Sequence, residues 1–379
     1  MSRPRTLQSA NGHGRRRAAH RPLALITGGA GFIGTNLAAR LAASGVPVLV
    51  YDNLSRPGVA GNLAWLRAAY GDAVVAEIAD IRDTTALRAA AARASSVFHF
   101  AAQVAVTTSL ADPEQDFAVN ATGTFNLLEA IRACADPPPL IFTSTNKVYG
   151  AIDDLELENR GQRYAPAAGR PLGIDETRPL DFHSPYGCSK GAADQYVLDY
   201  ARSYGLPAVV FRMSCIYGPH QRGTEDQGWV AHFLLRAMAG APVTIYGDGH
   251  QVRDILYVDD LVNAFLLAQR KMDRLRGQAF NIGGGSTNTT SLIELIDHIE
   301  VLDRRRPKVA YGAWRTGDQK YYVSDTAKFT RATGWRPQVT ANEGVARLYH
   351  WLRQNLGGNA AALLEPEKVR RTHTVSAAP

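Results

Sequence analysis

A chain of 379 residues, 45% of them hydrophobic, carries enough apolar surface for a large core divided between two lobes. Arg3, Arg5, Arg15, Arg16, Arg17 and Arg21 supply almost all of the net charge of +7, so the body is near neutral and no nucleic-acid interface is expected. No apolar run approaches the roughly 20 residues of a membrane-spanning helix, and the N-terminus lacks a secretory apolar stretch. Cys134, Cys188 and Cys215 are too scattered for a disulfide framework or a zinc site, so the expectation is a soluble, cytoplasmic protein without metal. Residues 1–21 read as a disordered basic arm and 356–379 as a flexible tail.

From Pro22 onward, short apolar strands alternate with helical stretches. LALIT (23–27), PVLVYD (47–52), a run ending EIAD (77–80), SVFHFAA (96–102), PLIFTST (139–145) and AVVFR (208–212) read as buried strands. FIGTNLAARLAASG, TFNLLEAIRACA and YGCSKGAADQYVLDYARSY read as helices between them. The alternation predicts an α/β fold over 22–218, a doubly wound parallel sheet of the Rossmann type. Residues 151–180, rich in charge, Pro and Gly, interrupt the pattern. Past Gly218 the rhythm breaks, leaving a helical WVAHFLLRAMAG, a helix near 259–271 and the strand AFNIG. With the 151–180 insertion, 219–355 reads as a smaller substrate lobe, some elements of which return to the first domain.

LALIT runs straight into Gly28-Gly29-Ala30-Gly31-Phe32-Ile33-Gly34 and then a helix. Such a turn lets backbone approach a pyrophosphate at the helix N-terminus, which makes Gly28, Gly31, Phe32, Ile33 and Gly34 candidate cofactor contacts. Asp52, followed by Asn53, ends the second strand about 20 residues on, placed to bond ribose hydroxyls and repel a 2′-phosphate. That favours NAD over NADP, with Arg56 the one contrary sign. Asp80-Ile81 could flank an adenine, and Ala101-Ala102 are small enough to let a cofactor lie against backbone. Ordinary strand termination explains either pair equally well.

Tyr186 and Lys190, four residues apart, leave one face of a helix. The spacing alone also describes a surface pair. A phenol is a poor base at neutral pH, but an ammonium alongside favours the phenolate, which can take a proton from an alcohol. PLIFTST delivers Ser144 and Thr145 at its end, where a hydroxyl can bridge substrate and Tyr186.

TGGAGFIG (27–34), STNKVYG (144–150) and the Tyr186–Lys190 spacing together resemble the extended short-chain dehydrogenase/reductase family, from about Leu23 to Trp351. The resemblance implies bound NAD, with Thr145, Tyr186 and Lys190 catalytic and the last two also on the cofactor. It further implies a cofactor-proximal Asn120, whose NAT sequon reads as accidental, and a homodimer or homotetramer through the helices after Asn120 and Tyr186. Dehydratases of this family carry Asp-Glu where this chain has Asn146-Lys147. Elimination of water needs an acid for the leaving hydroxyl and a base for the C5 proton, and an amide with an ammonium cannot replace two carboxyls, so epimerisation is the expected reaction.

STNKVYG, GIDET (173–177), LDFHSPYGCSKGAADQYVLDYAR and DQGWV (226–230) resemble the family's 2-epimerases of CDP-linked sugars. Implied is inversion at C2 through a 2-keto intermediate, of the paratose-to-tyvelose type, or glucose to mannose on CDP or GDP. A 4-epimerase is the alternative, with 4,6-dehydration behind it. Intact Thr145, Tyr186 and Lys190 argue against a mere cofactor-binding scaffold. Arg253 matches the family's diphosphate-holding arginine, an ion pair with Asp254 or Asp259 being the plain alternative. Tyr246 stacks on the base or packs in the core. Gln227 and Trp229 are expected to shape the substrate pocket, and Asn146, His183 and Ser214 to line it, Ser214 standing where many relatives place an asparagine. Cys215 reads as packing, and Asn281 as polar lining or a strand terminator.

Overall fold

The computed structural model describes residues 23–170, 172–315 and 317–356. The expected basic arm over 1–21 lies outside them, as do residues 357–379 of the expected tail. Seven strands form the central sheet: β1 (Leu23–Thr27), β2 (Val48–Asp52), β3 (Val74–Ile78), β4 (Ala94–His99), β5 (Leu140–Thr145), β6 (Ala208–Met213) and β7 (Ala279–Ile282). Their order is β7-β6-β5-β4-β1-β2-β3 and every pairing is parallel. The chain reverses direction of travel between β1 and β4, the switch point where open α/β sheets bind ligands.

Both faces of the sheet are covered, as apolar strands without polar alternation require. Successive residues point to opposite faces, so Ile26, Val50, Phe98 and Phe211 enter one core with the helices Phe32–Ala43 and Val258–Arg270. Leu25, Leu49, Val97 and Val210 enter the other, against the helices Gly123–Arg132 and Ser184–Tyr204. The doubly wound parallel sheet expected from the sequence is the fold. β7 and the Val258–Arg270 helix return to it from the last third of the chain.

Much of the rest of the chain forms a second region with a sheet of its own. Val252–Tyr257 runs parallel to Cys215–Tyr217 and Tyr321–Tyr322 and antiparallel to Thr289–Ser291. Helices Trp229–Met238, Leu292–Asp303 and Ala341–Leu356 contribute to a separate apolar core around it. The 151–180 insertion forms a hairpin, Leu157–Asn159 with Tyr164–Pro166, and joins this second region through the Ile174–Ser324 bridge. Among the described residues, no helix is long and apolar enough to cross a membrane.

The Ser184–Tyr204 helix carries the Tyr186–Lys190 pair, so its docking decides the site. Pro185 suits its first turn, and Gly205, left-handed at φ 70°, ends it. A buried ion pair fixes it to β6: Arg212 Nε and Nη2 donate to the two Asp194 oxygens, each at 2.9 Å. Arg212 also donates to the Tyr149 hydroxyl at 3.2 Å, which donates to Asn281 Oδ1 at 2.7 Å. Asn281 is therefore neither pocket lining nor a loose strand end; fully buried, it also donates to the Ile174 carbonyl and ties the insertion to the sheet. Asp194→Ala is expected to destabilise the protein by about 3–5 kcal/mol, because it strands a buried guanidinium. Urea denaturation checks this, and adding Arg212→Met should restore part of the loss.

Candidate active site

Ser144 shares strand parity with Leu140 and Phe142, which face the Ser184–Tyr204 helix, and Thr145 is the last residue of β5, at the strand's open end. The Thr145 hydroxyl donates to Asn146 Oδ1 at 3.3 Å and accepts from the Lys147 N–H at 3.2 Å, and it lies near enough to the Tyr186 phenol to act on its titration. Tyr186 is 9% and Lys190 4% exposed. The Lys190 ammonium donates to the Thr143 carbonyl at 2.7 Å and lies 4.3 Å above the Phe142 ring. Behind them, the Tyr186 N–H donates to Ser109 Oγ at 3.1 Å, and the Ser189 hydroxyl donates to the buried Asp116.

Burial governs both titrating groups. It pushes the Tyr186 phenol up to about 12, with Asp116 adding to the rise and the Thr145 hydroxyl opposing it. It pulls Lys190 down to about 7 against the attraction of Asp194 and Asp116. The expectation that Lys190 favours the Tyr186 phenolate is thus not met by the protein alone. The ammonium is committed to a carbonyl, and desolvation outweighs the help that the phenol receives. A further positive charge beside the phenol is what this site lacks.

The glycine turn is shaped by close approach. Gly28 adopts φ 67°, and a Cβ there would stand 2.7 Å from the Ala101 nitrogen. Gly34 is equally confined, since its Cβ would lie 2.6 Å from Gly29 Cα. Gly31 caps the Phe32–Ala43 helix without any side-chain bond, and the first turn holds no acid. The leading N–H groups around Phe32, Ile33 and Gly34 therefore end in an uncovered positive dipole. Such a cradle fits the pyrophosphate of a dinucleotide.

Asp52 accepts from the Ala30 N–H at 3.0 Å and the Leu54 N–H at 2.9 Å, bracing the turn while keeping acceptor capacity for a ribose. Burial pushes its carboxyl up, and those two N–H groups and Arg56 oppose the rise. Asp80 is occupied by Arg82, at 2.7 and 2.9 Å, and by Asn53 at 2.9 Å; the Arg82 bonds hold its carboxyl well below the usual range. Ile81 is buried against Gly123. Ala101 and Ala102 lie just past β4, beside the glycine turn. Asn120 is fully engaged within the protein: it donates to the Gln103 carbonyl, Asp116 and Ser189 and accepts from the Gln103 N–H.

Of the residues expected on the sugar side, Asn146 is 8% exposed and donates to Gln319 Oε1 at 3.2 Å. Gln319 in turn donates to the Gly150 carbonyl at 2.6 Å. Arg253 pairs with neither Asp254 nor Asp259; its Nη2 meets Asp318 Oδ1 at 2.7 Å. Ser214 donates to the buried Asp254, which makes it a brace more than a free pocket wall. Trp229 donates to Cys215 Sγ at 3.4 Å, and Cys215, half-buried, packs against the apolar core of this second region. Tyr246 is half-buried beneath the Arg315 guanidinium, 3.8 Å from its ring, and bonds Glu225. Gln227 closes a turn with Thr224, and exposed His183 meets Asp181 at 3.0 Å.

The residues that sequence reasoning missed are Gly317 and Gln319, which touch the turn after β5 from some 170 positions away, and Asp318 between them, which meets Arg253. Nothing local marks them except polarity in a short loop. Also missed was His99, held between the hydroxyls of Thr27 at 2.7 Å and Thr124 at 3.0 Å and kept neutral because burial pulls it down to about 3.

A dinucleotide cradle at the switch point, facing a hydroxyl–phenol–ammonium set, defines an oxidoreductive α/β enzyme. The chain matches the family profile described as NAD dependent epimerase/dehydratase over residues 24–283 and belongs to that family. It is 44% identical to a CDP-paratose 2-epimerase of Salmonella typhi over 86% of this chain and 98% of that protein. It is 32% identical to a dTDP-glucose 4,6-dehydratase of Xanthomonas campestris pv. campestris, over 87% of this chain and 93% of that one. The crystal structure of Thermus thermophilus UDP-glucose 4-epimerase in complex with NAD superposes with a TM-score of 0.73 at 34% identity, covering 88% of this chain and 99% of that one.

Lys190 gives this site a pH signature. Its folded-state value near 7 lies below that of an unfolded lysine, so between about 7 and 10 the unfolded chain binds more protons and stability rises with pH. Below 7 both states are protonated and the contribution is flat. Denaturant titrations at pH 6, 7.5 and 9 should show wild type gaining on Lys190→Met only over the alkaline part of that range.

Proposed function

We propose that this protein is an NAD-dependent epimerase that inverts C2 of a nucleotide-linked hexose, with a CDP-linked sugar favoured over a GDP-linked one. The observation that carries this reading is the end of β5, where Thr145 is followed by Asn146 and Lys147 with no carboxyl at either position. Epimerisation needs a hydroxyl proton removed, a hydride taken and returned, and the keto-sugar turned between the two; it needs no acid for a leaving hydroxyl. Support for C2 and for the CDP group comes from the 44% identity with a CDP-paratose 2-epimerase over 98% of that protein's length.

NAD supplies a hydride acceptor that is restored when the same hydride returns, and its oxidised ring adds a positive charge of the kind the Tyr186 phenol lacks. We assign the cradle Gly28, Gly31, Phe32, Ile33 and Gly34, with Asp52 and Asn53, to the dinucleotide. Asp80, Ile81, Ala101 and Ala102 border it, and Asn120 positions it through the Gln103 loop. Tyr186 takes the C2 hydroxyl proton once the cofactor's charge favours the phenolate, Thr145 relays the hydrogen bond, and Lys190 holds a ribose hydroxyl. Asn146, His183, Gln227, Trp229, Tyr246 and Arg253 line the sugar-nucleotide pocket, with Ser214 behind them. The substrate lobe consists of the insertion and 219–355, less β7 and the Val258–Arg270 helix.

Exposed Phe125, Tyr196 and Tyr204 cluster on the Gly123–Arg132 and Ser184–Tyr204 helices, which supports a homo-oligomer joined there. Three free cysteines, one of them exposed, suit a reducing cytoplasm.

Turnover of CDP-paratose, CDP-glucose and GDP-glucose, with products identified by NMR, tests the substrate. Deuterium at C2 is expected to slow the reaction by a primary isotope effect and deuterium at C4 to leave it unchanged; the reverse pattern would make the enzyme a 4-epimerase. Tyr186→Phe should lower kcat by about 10²–10⁴-fold, the usual share of a positioned proton-transfer group. Full activity in that variant would remove Tyr186 from the mechanism.

A further inference from the structure

Two cations, one from the turn after β5 and one from the second region's sheet, converge on consecutive residues of one loop. Lys147, in the short turn Asn146–Tyr149 after β5, donates from Nζ to the Gly317 carbonyl at 3.0 Å. Arg253, from the strand Val252–Tyr257, meets the Asp318 carboxylate at 2.7 Å. The Gly317 carbonyl carries no net charge, so a single carboxylate serves an ammonium and a guanidinium. Their proximity is also felt electrostatically: burial pulls Lys147 down to about 8, with the Arg253 charge adding to the fall and Asp318 opposing it. One positive charge remains in excess, at a place two residues beyond the catalytic Thr145.

Sugar connectivity says what that excess charge can meet. In a nucleoside diphosphate sugar the phosphate hangs on C1. C2 is one carbon–carbon bond from C1, whereas C4 is across the ring. An enzyme that presents C2 to Thr145 and Tyr186 must therefore hold the sugar-linked phosphate beside the same strand end. One that presents C4 holds it farther off. A carboxylate just after the catalytic threonine repels a phosphate approaching there, and an ammonium attracts it.

The geometry points to Lys147 as the residue that selects the carbon: its ammonium takes the sugar-linked phosphate, with Arg253 on the same diphosphate, and so delivers C2 to Tyr186. This inference rests on the C2 reading above. Asp318 is the stand-in anion, holding Arg253 until the diphosphate replaces it, while Gly317 holds Lys147 in the same waiting position. A lysine that served only to tether the loop would lack this selectivity for the second phosphate.

Calorimetric titration of the NAD-loaded, full-length enzyme with CDP and CMP separates the two roles, with GDP and GMP run in parallel in case the base is guanine. Lys147→Met is expected to weaken the diphosphate by about tenfold or more and the monophosphate by less than about twofold, while Lys147→Arg keeps most of the affinity. Asp318→Asn is expected to tighten the diphosphate, since it removes the competing anion. Unchanged diphosphate affinity in Lys147→Met, or equal losses for both nucleotides, overturns the inference. Should Lys147→Met fail to fold, unchanged or weaker diphosphate binding in Asp318→Asn overturns it instead. The isotope measurement keeps the two claims apart. A C2 effect in wild type with intact diphosphate affinity in Lys147→Met sinks the role of Lys147 alone. A C4 effect sinks the C2 reading and, with it, the choice of carbon by Lys147.

Discussion

Desolvation is the constraint on which the rest of this site depends. Tyr186 and Lys190 occupy a region so dry that the uncharged form of each is favoured, and the protein offers only partial compensation through Thr145, Thr143, Asp116 and Asp194. In water a phenol and an ammonium would be ordinary groups with ordinary values. Here their protonation is poised, so one charge arriving with a ligand has a large effect in a medium of low effective dielectric. In the proposed mechanism that charge is what turns the Tyr186 phenol into a base.

That poise must be built on something rigid. The Arg212–Asp194 pair locks the Ser184–Tyr204 helix to β6, and the Tyr149–Asn281 bonds continue the same network into β7 and the insertion. A buried ion pair adds little net stability compared with apolar packing, but it tolerates few alternative positions. Its place directly behind the catalytic turn suggests that what it secures is register: a helix displaced by one residue would turn Tyr186 away from Thr145. The glycine turn has the same character, since Gly28 and Gly34 permit a single close packing of turn, helix and β4 loop.

The parts of this arrangement that are legible in the sequence are those encoded over short distances. Apolar runs between helical stretches foretell six sheet strands, and the Gly28–Gly34 turn announces its own helix. Asp80 with Arg82, two residues apart, was within reach of the same reading. Partners chosen across the fold were not. Asp254 and Asp259 are Arg253's neighbours in sequence, yet strand geometry turns Asp254 towards Ser214 and leaves Asp318 to meet the guanidinium. Asn120 looks from its motif like a free amide near a cofactor, but all of its bonds go to Gln103, Asp116 and Ser189. A residue type specifies what a side chain can bond; only the folded chain specifies what is left for it to bond.

The same reasoning explains how one scaffold serves both epimerases and dehydratases among its relatives. In the proposed mechanism the cradle and the Thr145–Tyr186–Lys190 set serve proton and hydride movement alone, and they do not distinguish one sugar carbon from another. Discrimination has to come from whatever orients the ring, and charge at the end of β5 is well placed to do so. Two unit charges about 4 Å apart interact by roughly 4 kcal/mol at an effective dielectric near 20. Replacing a carboxylate by an ammonium reverses the sign of that term against a phosphate, a swing of about twice its size. Hydrogen bonds to individual sugar hydroxyls contribute about 0.5–1.5 kcal/mol each when neutral. One charge reversal can therefore outweigh several of them, and a ring can be turned end for end without rebuilding the pocket around it.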